Sequence, residues 1–403
     1  MTKLLIIADD FTGAMDTGVK FVNQGATTKI IHTIQEMTGE CIQTCDVLVI
    51  NTESRHMQPM QAYEQVYCIA AVAKRQGIPY LYKKTDSALR GNIGSELQAV
   101  LDATGCTEVT FIPAYPAMER ITSNGVHYIN KCPLADTVFA QDPTEPVLCS
   151  YIPDIIKSQS DVPVLVRNAA SFFPKPVEPS IVLYDAETQR DVETIASRLM
   201  KENRLYVMAG CAGFASILPD VLEMKNPVSV EKLQGERLMV FCGSVNPITK
   251  QQLEFAQPYG VHRIQLTPQR ILSEERSEEE YRIACEARRI YEMGMTPAIE
   301  TLPSFSDDVA CSSEDGLRIA DAIGRIATQL IQWHCDGVYM FTGGDTLRSF
   351  LTCIDGHEIG LMQEIAPGVV LSQIQTAYGT LKVISKSGGF GKPDLLVTIL
   401  HQL

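Results

Sequence analysis

At 403 residues the chain is too long for one ordinary hydrophobic core, so two domains are expected. A charged fraction of 20% beside an apolar fraction of 45% is that of a globular protein and excludes a disordered chain. The formal net charge of −14 argues against a nucleic-acid partner, and any anionic ligand must be held by a local cluster of cations.

The first predicted element is "KLLIIA" (3–8), an apolar run ended by Asp9 and Asp10. It is too short for a signal-peptide core or a membrane span and reads as a buried strand. "DVLVIN" (46–51), "YLYK" (80–83), "VTFIP" (109–113), "SIVLYD" (180–185) and "LYVMAG" (205–210) repeat the pattern. Between them lie helical periodicities: Tyr63, Val66, Tyr67 and Ala70 share one face of 61–76, and Ile93, Leu97, Val100 and Leu101 one face of 92–104. Strand–helix alternation predicts a largely parallel sheet covered on both sides. The polar segment 223–236, with Pro227 and Gly235, interrupts the rhythm and sets a boundary between domains at 1–225 and 237–403.

A second series follows in "RLMVFCGS" (237–244), "VHRIQLT" (261–267), "GVYMFTGG" (337–344), "GVVL" (368–371) and "LKVISKSGG" (381–389). The charged stretch 273–292 predicts a solvated surface helix, and 314–334 a long amphipathic helix whose closing Trp333 reads as core. The expected fold is α/β: two Rossmann-like domains whose largely parallel sheets face a shared interdomain cleft. No run has membrane length, so no membrane partner is expected and the cytoplasm is the expected location. The 12 cysteines include no C-x-x-C pair and no zinc spacing with histidine, so reduced thiols are expected and a protein-held metal is not.

The Walker pattern and the G-x-G-x-x-G fingerprint are both absent, which removes most of the case for P-loop enzymes and ordinary dinucleotide dehydrogenases. Three glycine-rich strand ends remain in the second half: "CGS" with Ser244, "TGGDT" with Gly343, Gly344, Asp345 and Thr346, and "SKSGGFG" with Gly388 and Gly389. Bare glycine backbones at strand ends can approach phosphate oxygens, and Asp345 could reach a magnesium ion. One such loop reads best as a tight turn; three in one domain favour a ligand site.

The first half carries charge at its strand ends instead. Asp9 and Asp10 follow the first strand, Arg55 follows the second, and Lys83, Lys84, Thr85, Asp86, Ser87 and Arg90 follow the third. Each alone reads as a loop charge or a helix cap. Together they suit a small polyhydroxy acid, which needs a cation for its carboxylate and acceptors for its hydroxyls. The proline- and glycine-containing segment 112–130 reads as a shaped loop, and its His127 is as well explained by structure as by catalysis.

These motifs occur together. "IIADDFTGAMDTG", "KKTDSALRGNIGSEL", "FIPAYPAMERIT" with "NGVHYIN" and "PLADTVFAQDP", then "TGGDT" and "SKSGGFG" resemble, in order and over nearly the whole chain, the four-carbon acid sugar kinase family. That family includes D-threonate, D-erythronate and 3-oxo-tetronate kinases. The resemblance implies a sugar-acid-binding domain followed by an ATP-binding one, Mg2+ carried by the nucleotide, and phosphorylation of a terminal 4-hydroxyl. It implies that Asp9 or Asp10, Arg55, Lys83, Lys84, Thr85, Asp86 and Ser87 touch substrate, and that Ser244, Gly343, Gly344, Asp345, Thr346, Gly388 and Gly389 line ATP.

Within that frame Asp86 is the expected general base with Asp10 its rival, Arg55 or Arg90 the expected carboxylate clamp, and Lys84 the expected stabiliser of the moving phosphoryl group. A homodimer is the assembly entertained. The alternatives from other classes are an NAD-dependent dehydrogenase of the same acids and a non-catalytic sugar-acid sensor.

Overall fold

The computed structural model describes residues 1–142, 145–170, 173–228, 233–243, 246–301, 312–356, 358–386, 388–389 and 391–403. The chain divides into two compact units, Met1–Val228 and Ser229–Leu403.

The first unit contains β1 (Leu4–Ala8), β2 (Thr28–Ile31), β3 (Val47–Asn51), β4 (Tyr80–Lys84), β5 (Glu108–Ile112), β6 (Arg120–Ser123), β7 (Val126–Ile129), β8 (Cys132–Pro133), β9 (Val164–Asn168), β10 (Ser180–Asp185) and β11 (Val207–Gly210). Its main sheet runs β2-β3-β1-β4-β11-β5-β10-β9. Every pairing in it is parallel. Strands β1, β3 and β5 are buried along their whole length, which is why β1 and β3 read as nearly continuous apolar runs rather than alternating ones. Helices Phe11–Val22, Pro59–Arg75 and Ile93–Thr104 supply the covering layers.

The register positions the site. Ala8 pairs with Asn51 on one side and Lys84 on the other, and Lys84 pairs in turn with Gly210. The carboxyl ends of β3, β1, β4 and β11 therefore form one edge. Sequence reading treats 112–130 as a loop, but 120–133 forms a three-stranded antiparallel sheet, β6-β7-β8. Its first turn is Asn124-Gly125, with φ of 52° and 75°, the left-handed pair that closes a two-residue hairpin. The strands are too short and too polar for periodicity to reveal them.

The second unit contains β12 (Leu238–Cys242), β13 (Val261–Leu266), β14 (Thr296–Thr301), β15 (Val338–Thr342), β16 (Ile359–Ala366), β17 (Val369–Thr376) and β18 (Gly379–Lys386). The order is β13-β14-β12-β15-β18-β17-β16. The first five strands are parallel, while β18, β17 and β16 form an antiparallel meander. The expected parallel sheet thus ends in tight hairpins, such as the turn at Pro367-Gly368, where Gly368 has φ 73°. Strands β2, β9, β14 and β16 escape sequence reading; β14 carries Pro297, which depresses any strand signal.

Two further expectations need correction. Helix Arg276–Glu292 is not merely solvated: it buries Ile283, Ala284, Ala287 and Ile290, with Glu279 held by Arg270 and Arg282. Trp333 is half-buried rather than core, edge-on to Tyr281 at 6.0 Å with the Arg288 guanidinium 5.6 Å from its ring centroid. Among the described residues no helix is long and apolar enough to cross a membrane.

Candidate active site

The two aspartates after β1 take different tasks. Asp9 is buried, and Arg55 Nε donates to its Oδ2 at 2.8 Å. Its other oxygen, Oδ1, is buried without a hydrogen-bond partner. Asp10 caps helix Phe11–Val22, its Oδ1 accepting from the Gly13 N–H at 3.0 Å, and Arg55 Nη2 lies 2.8 Å from that same oxygen. Arg55 also reaches toward Asp86 Oδ1, at 3.7 Å. One guanidinium therefore gathers three carboxylates from the ends of two neighbouring strands.

Asp86 is held from a second side. Arg90 Nε donates to its Oδ2 at 2.8 Å and Nη2 to its Oδ1 at 3.3 Å, a two-pronged pair, while Arg90 Nη1 donates to Asp142 at 3.0 Å. Both arginines that sequence reading offers as the carboxylate clamp are thus bound to protein carboxylates.

These contacts push the acids apart electrostatically. Burial raises Asp9, but Arg55, then Lys84 and Lys83, outweigh it and hold the carboxyl below its ordinary value. Burial and then the Asp9 charge push Asp10 upward, against Arg55 and Lys84. For Asp86 burial is overcome by Arg55 and by the hydrogen bonds and charge of Arg90, so it is driven well below the usual carboxylate range. Arg55 is buried yet held above its ordinary value by Asp9, Asp10 and Asp86.

Successive residues of a strand face opposite ways, and the two lysines of β4 separate accordingly. Lys83 Nζ turns into the interior, 3.0 Å from Glu96 Oε2, with both side chains buried; Ser54 donates to the other Glu96 oxygen. Lys84 Nζ donates to the Thr85 carbonyl at 2.8 Å and lies over Gly13, where an added Cβ would stand 2.7 Å from it. Thr85 Oγ1 is buried without a partner. Ser87 is held by the β6–β7 hairpin: Arg120 Nη1 donates to its Oγ, and His127 Nε2 lies 3.0 Å from its carbonyl oxygen. That contact puts the proton on Nε2 and leaves Nδ1 to accept from Thr122 Oγ1 at 3.3 Å. Burial pushes His127 down to about 4, so the ring is neutral near pH 7.

The structure thus gathers Asp9, Asp10, Arg55, Lys84, Thr85, Asp86, Ser87 and Arg90 at one edge, with Lys83 engaged beneath them. Sequence reading misses Glu96 and Asp142, places Arg120 in the shaped loop without a role, and does not decide His127. The Asn124-Gly125 turn was the available signal for the hairpin that brings in Arg120 and His127.

In the second unit, Thr342 pairs with Cys242 on one side and Lys386 on the other, so β12, β15 and β18 end side by side. Gly343, with φ 104°, leads into helix Gly344–Cys353. Asp345 is exposed and Thr346 buried, and a Cβ on Gly243 would collide with Thr346 Oγ1. Gly388 O accepts from Thr249 Oγ1 at 2.8 Å, and Gly389 is exposed. Ser244 lies outside the described residues. Lys386 is the residue sequence reading passed over. It is buried, with Nζ 3.1 Å from both Thr249 Oγ1 and Gly388 O, and burial pushes it down to about 8 against the opposing influence of Cys242.

Family models match both units: a sugar-binding N-terminal domain over residues 4–218 and a nucleotide-binding C-terminal domain over residues 239–396. The chain belongs to the four-carbon acid sugar kinase family. It is a phosphotransferase. A D-threonate kinase of Salmonella typhimurium is 29% identical, covering 100% of this chain and 98% of its relative. A D-erythronate kinase of Heliobacterium modesticaldum is 28% identical over 100% and 97% of the two chains. The crystal structure of a Salmonella typhimurium LT2 protein described as a tRNA synthase superposes with a TM-score of 0.84 at 22% identity, covering 100% of both chains. That likeness bears on the fold alone. As a four-carbon acid sugar kinase, the chain takes a small sugar acid and a nucleotide as its substrates.

Proposed function

We propose that this kinase transfers the γ-phosphoryl group of ATP to the 4-hydroxyl of D-threonate, D-erythronate or 3-oxo-tetronate. The observation that carries the reading is that Asp10 and Lys84 both approach Gly13: a carboxylate pushed upward and an ammonium on the same glycine, at the end of a parallel sheet. The 4-hydroxyl oxygen attacks the γ-phosphorus, its proton passes to Asp10, the β–γ bridging P–O bond breaks, and ADP leaves. Lys84 offsets negative charge on the transferring group. Such catalysis is chiefly positioning and charge stabilisation.

Asp10 suits the base role better than Asp86. A general base works best with a pKa near the operating pH. Asp86, gripped by two arginines and driven well down, is a weak proton acceptor and a strong organiser of the cations. The buried and unpartnered Asp9 Oδ1 and Thr85 Oγ1 suit contacts to substrate hydroxyls.

On the nucleotide side, the glycine turns at Gly343 and Gly388 and the Lys386 ammonium form a set that suits phosphate oxygens. Mg2+ arrives with ATP, and Asp345, exposed in the first turn of helix Gly344–Cys353, is the carboxylate offered to it. A cytoplasmic, homodimeric enzyme is the accompanying reading, the assembly to be checked by sedimentation.

The test is an ADP-release screen over four-carbon acids, with the phosphate position read by 31P NMR. A 4-phosphate formed from one of the three acids is expected. ADP release that no four-carbon acid stimulates overturns the reading.

A further inference from the structure

A sugar acid brings its own negative charge, and the first unit must meet it with a cation that protein carboxylates have not already claimed. Arg55 is committed to Asp9 and Asp10, Arg90 to Asp86 and Asp142, and Lys83 to Glu96. Two cations at this edge remain without a carboxylate within ion-pair distance among the described residues, Lys84 and Arg120. Lys84 stands over Gly13 beside Asp10, at the end where the hydroxyl reacts. The carboxylate and the reacting hydroxyl sit at opposite ends of a four-carbon chain, so their recognition groups must stand apart.

Arg120 is the remaining candidate. It comes from β6, a different element, and its Nη1 donates to Ser87 Oγ, next to Asp86. Its guanidinium carbon lies 5.7 Å from the centroid of the Phe139 ring, which Arg90 flanks at 5.3 Å. The ring gives the half-buried guanidinium an apolar wall and a weak electrostatic hold without neutralising it. The β6–β7 hairpin is itself tied by a hydrogen bond to the loop that carries Asp86, through His127 and the Ser87 carbonyl.

Resting on the reading above, we propose that Arg120 is the residue that binds the substrate carboxylate, with Ser87 Oγ fixing its orientation. A planar guanidinium can meet both carboxylate oxygens, which makes the site select acids over the corresponding polyols.

The experiment measures binding of D-threonate and D-erythronate by calorimetry, and of the uncharged D-threitol and erythritol by competition. It uses the wild-type chain, Arg120→Met and Arg120→Lys. For the wild type, an acid is expected to bind far better than its polyol. Arg120→Met should weaken the acid by roughly 10- to 150-fold, the range for a lost charged hydrogen bond, and leave the polyol within about twofold. Arg120→Lys, which keeps the charge but not the fork, should fall between and guards against a variant that merely fails to fold. Equal weakening of acid and polyol means that Arg120 only braces the loop, and the proposal fails. Unchanged acid binding in Arg120→Met also sinks it while the kinase reading stands. If the wild type binds neither acid, D-threonate and D-erythronate fall as substrates, and the same comparison with 3-oxo-tetronate decides the role of Arg120.

Discussion

Asp10 Oδ1 and Lys84 Nζ converge on Gly13: a Cβ there would collide with the first and stand 2.7 Å from the second. Inside a helix alanine ordinarily gains about 1 kcal/mol over glycine. Here the steric conflict falls on the two side chains proposed to act in the transfer. Gly13→Ala is expected to keep a thermal midpoint within a few degrees of the parent while kcat falls at least tenfold, or about 1.4 kcal/mol. Steady-state kinetics beside thermal unfolding checks this, and an active Gly13→Ala enzyme would show that the pair need not meet.

Asp10 and Asp86 should fail differently when made neutral. Asp10→Asn removes the proposed proton acceptor, and a loss of roughly 100-fold or more in kcat with little change in KM is expected. Asp86→Asn leaves Arg55 and Arg90 short of a buried counter-charge, so it should cost about 3 kcal/mol of stability. Denaturant unfolding and the separation of kcat from KM distinguish the two.

His127 predicts a pH dependence of stability. Its folded-state value is about 4 against an ordinary 6.5, because burial disfavours the charged ring. A depressed histidine contributes fully above pH 6.5; its contribution fades as acidification toward pH 4 protonates the unfolded chain first. The full effect is roughly 3 kcal/mol. His127→Gln, which cannot titrate, should flatten the stability curve in that window and leave the region above it unchanged in shape.

Lys386 predicts a second profile, at the nucleotide. Burial holds it at about 8, so its charge is lost as pH rises through that value. ATP affinity should weaken above that pH in the wild type. Lys386→Arg, which stays charged, should resist the fall, and Lys386→Met should bind weakly throughout. Calorimetry from pH 6 to about 9.5 reads all three, and identical profiles would remove Lys386 from the phosphate site.

Much was legible in the chain itself. Apolar runs such as Leu4–Ala8 and Val338–Thr342 announce buried parallel strands because both faces of such a sheet are covered, so burial alone writes the pattern. Polar groups after those runs gather at one edge, since a parallel sheet points its carboxyl ends one way. The β6–β7 hairpin was not legible to periodicity, because its strands are four residues long and half exposed.

Local pattern therefore determined most of the buried parallel strands and the residues that follow them. Which carboxylate is pushed up and which down, and which arginine stays uncommitted, only the tertiary structure decided. Those properties depend on partners distant in the chain: Arg55 on Asp9, Asp142 on Arg90, Arg120 on Ser87. Charge coupling falls off with distance in space and takes no account of separation along the chain.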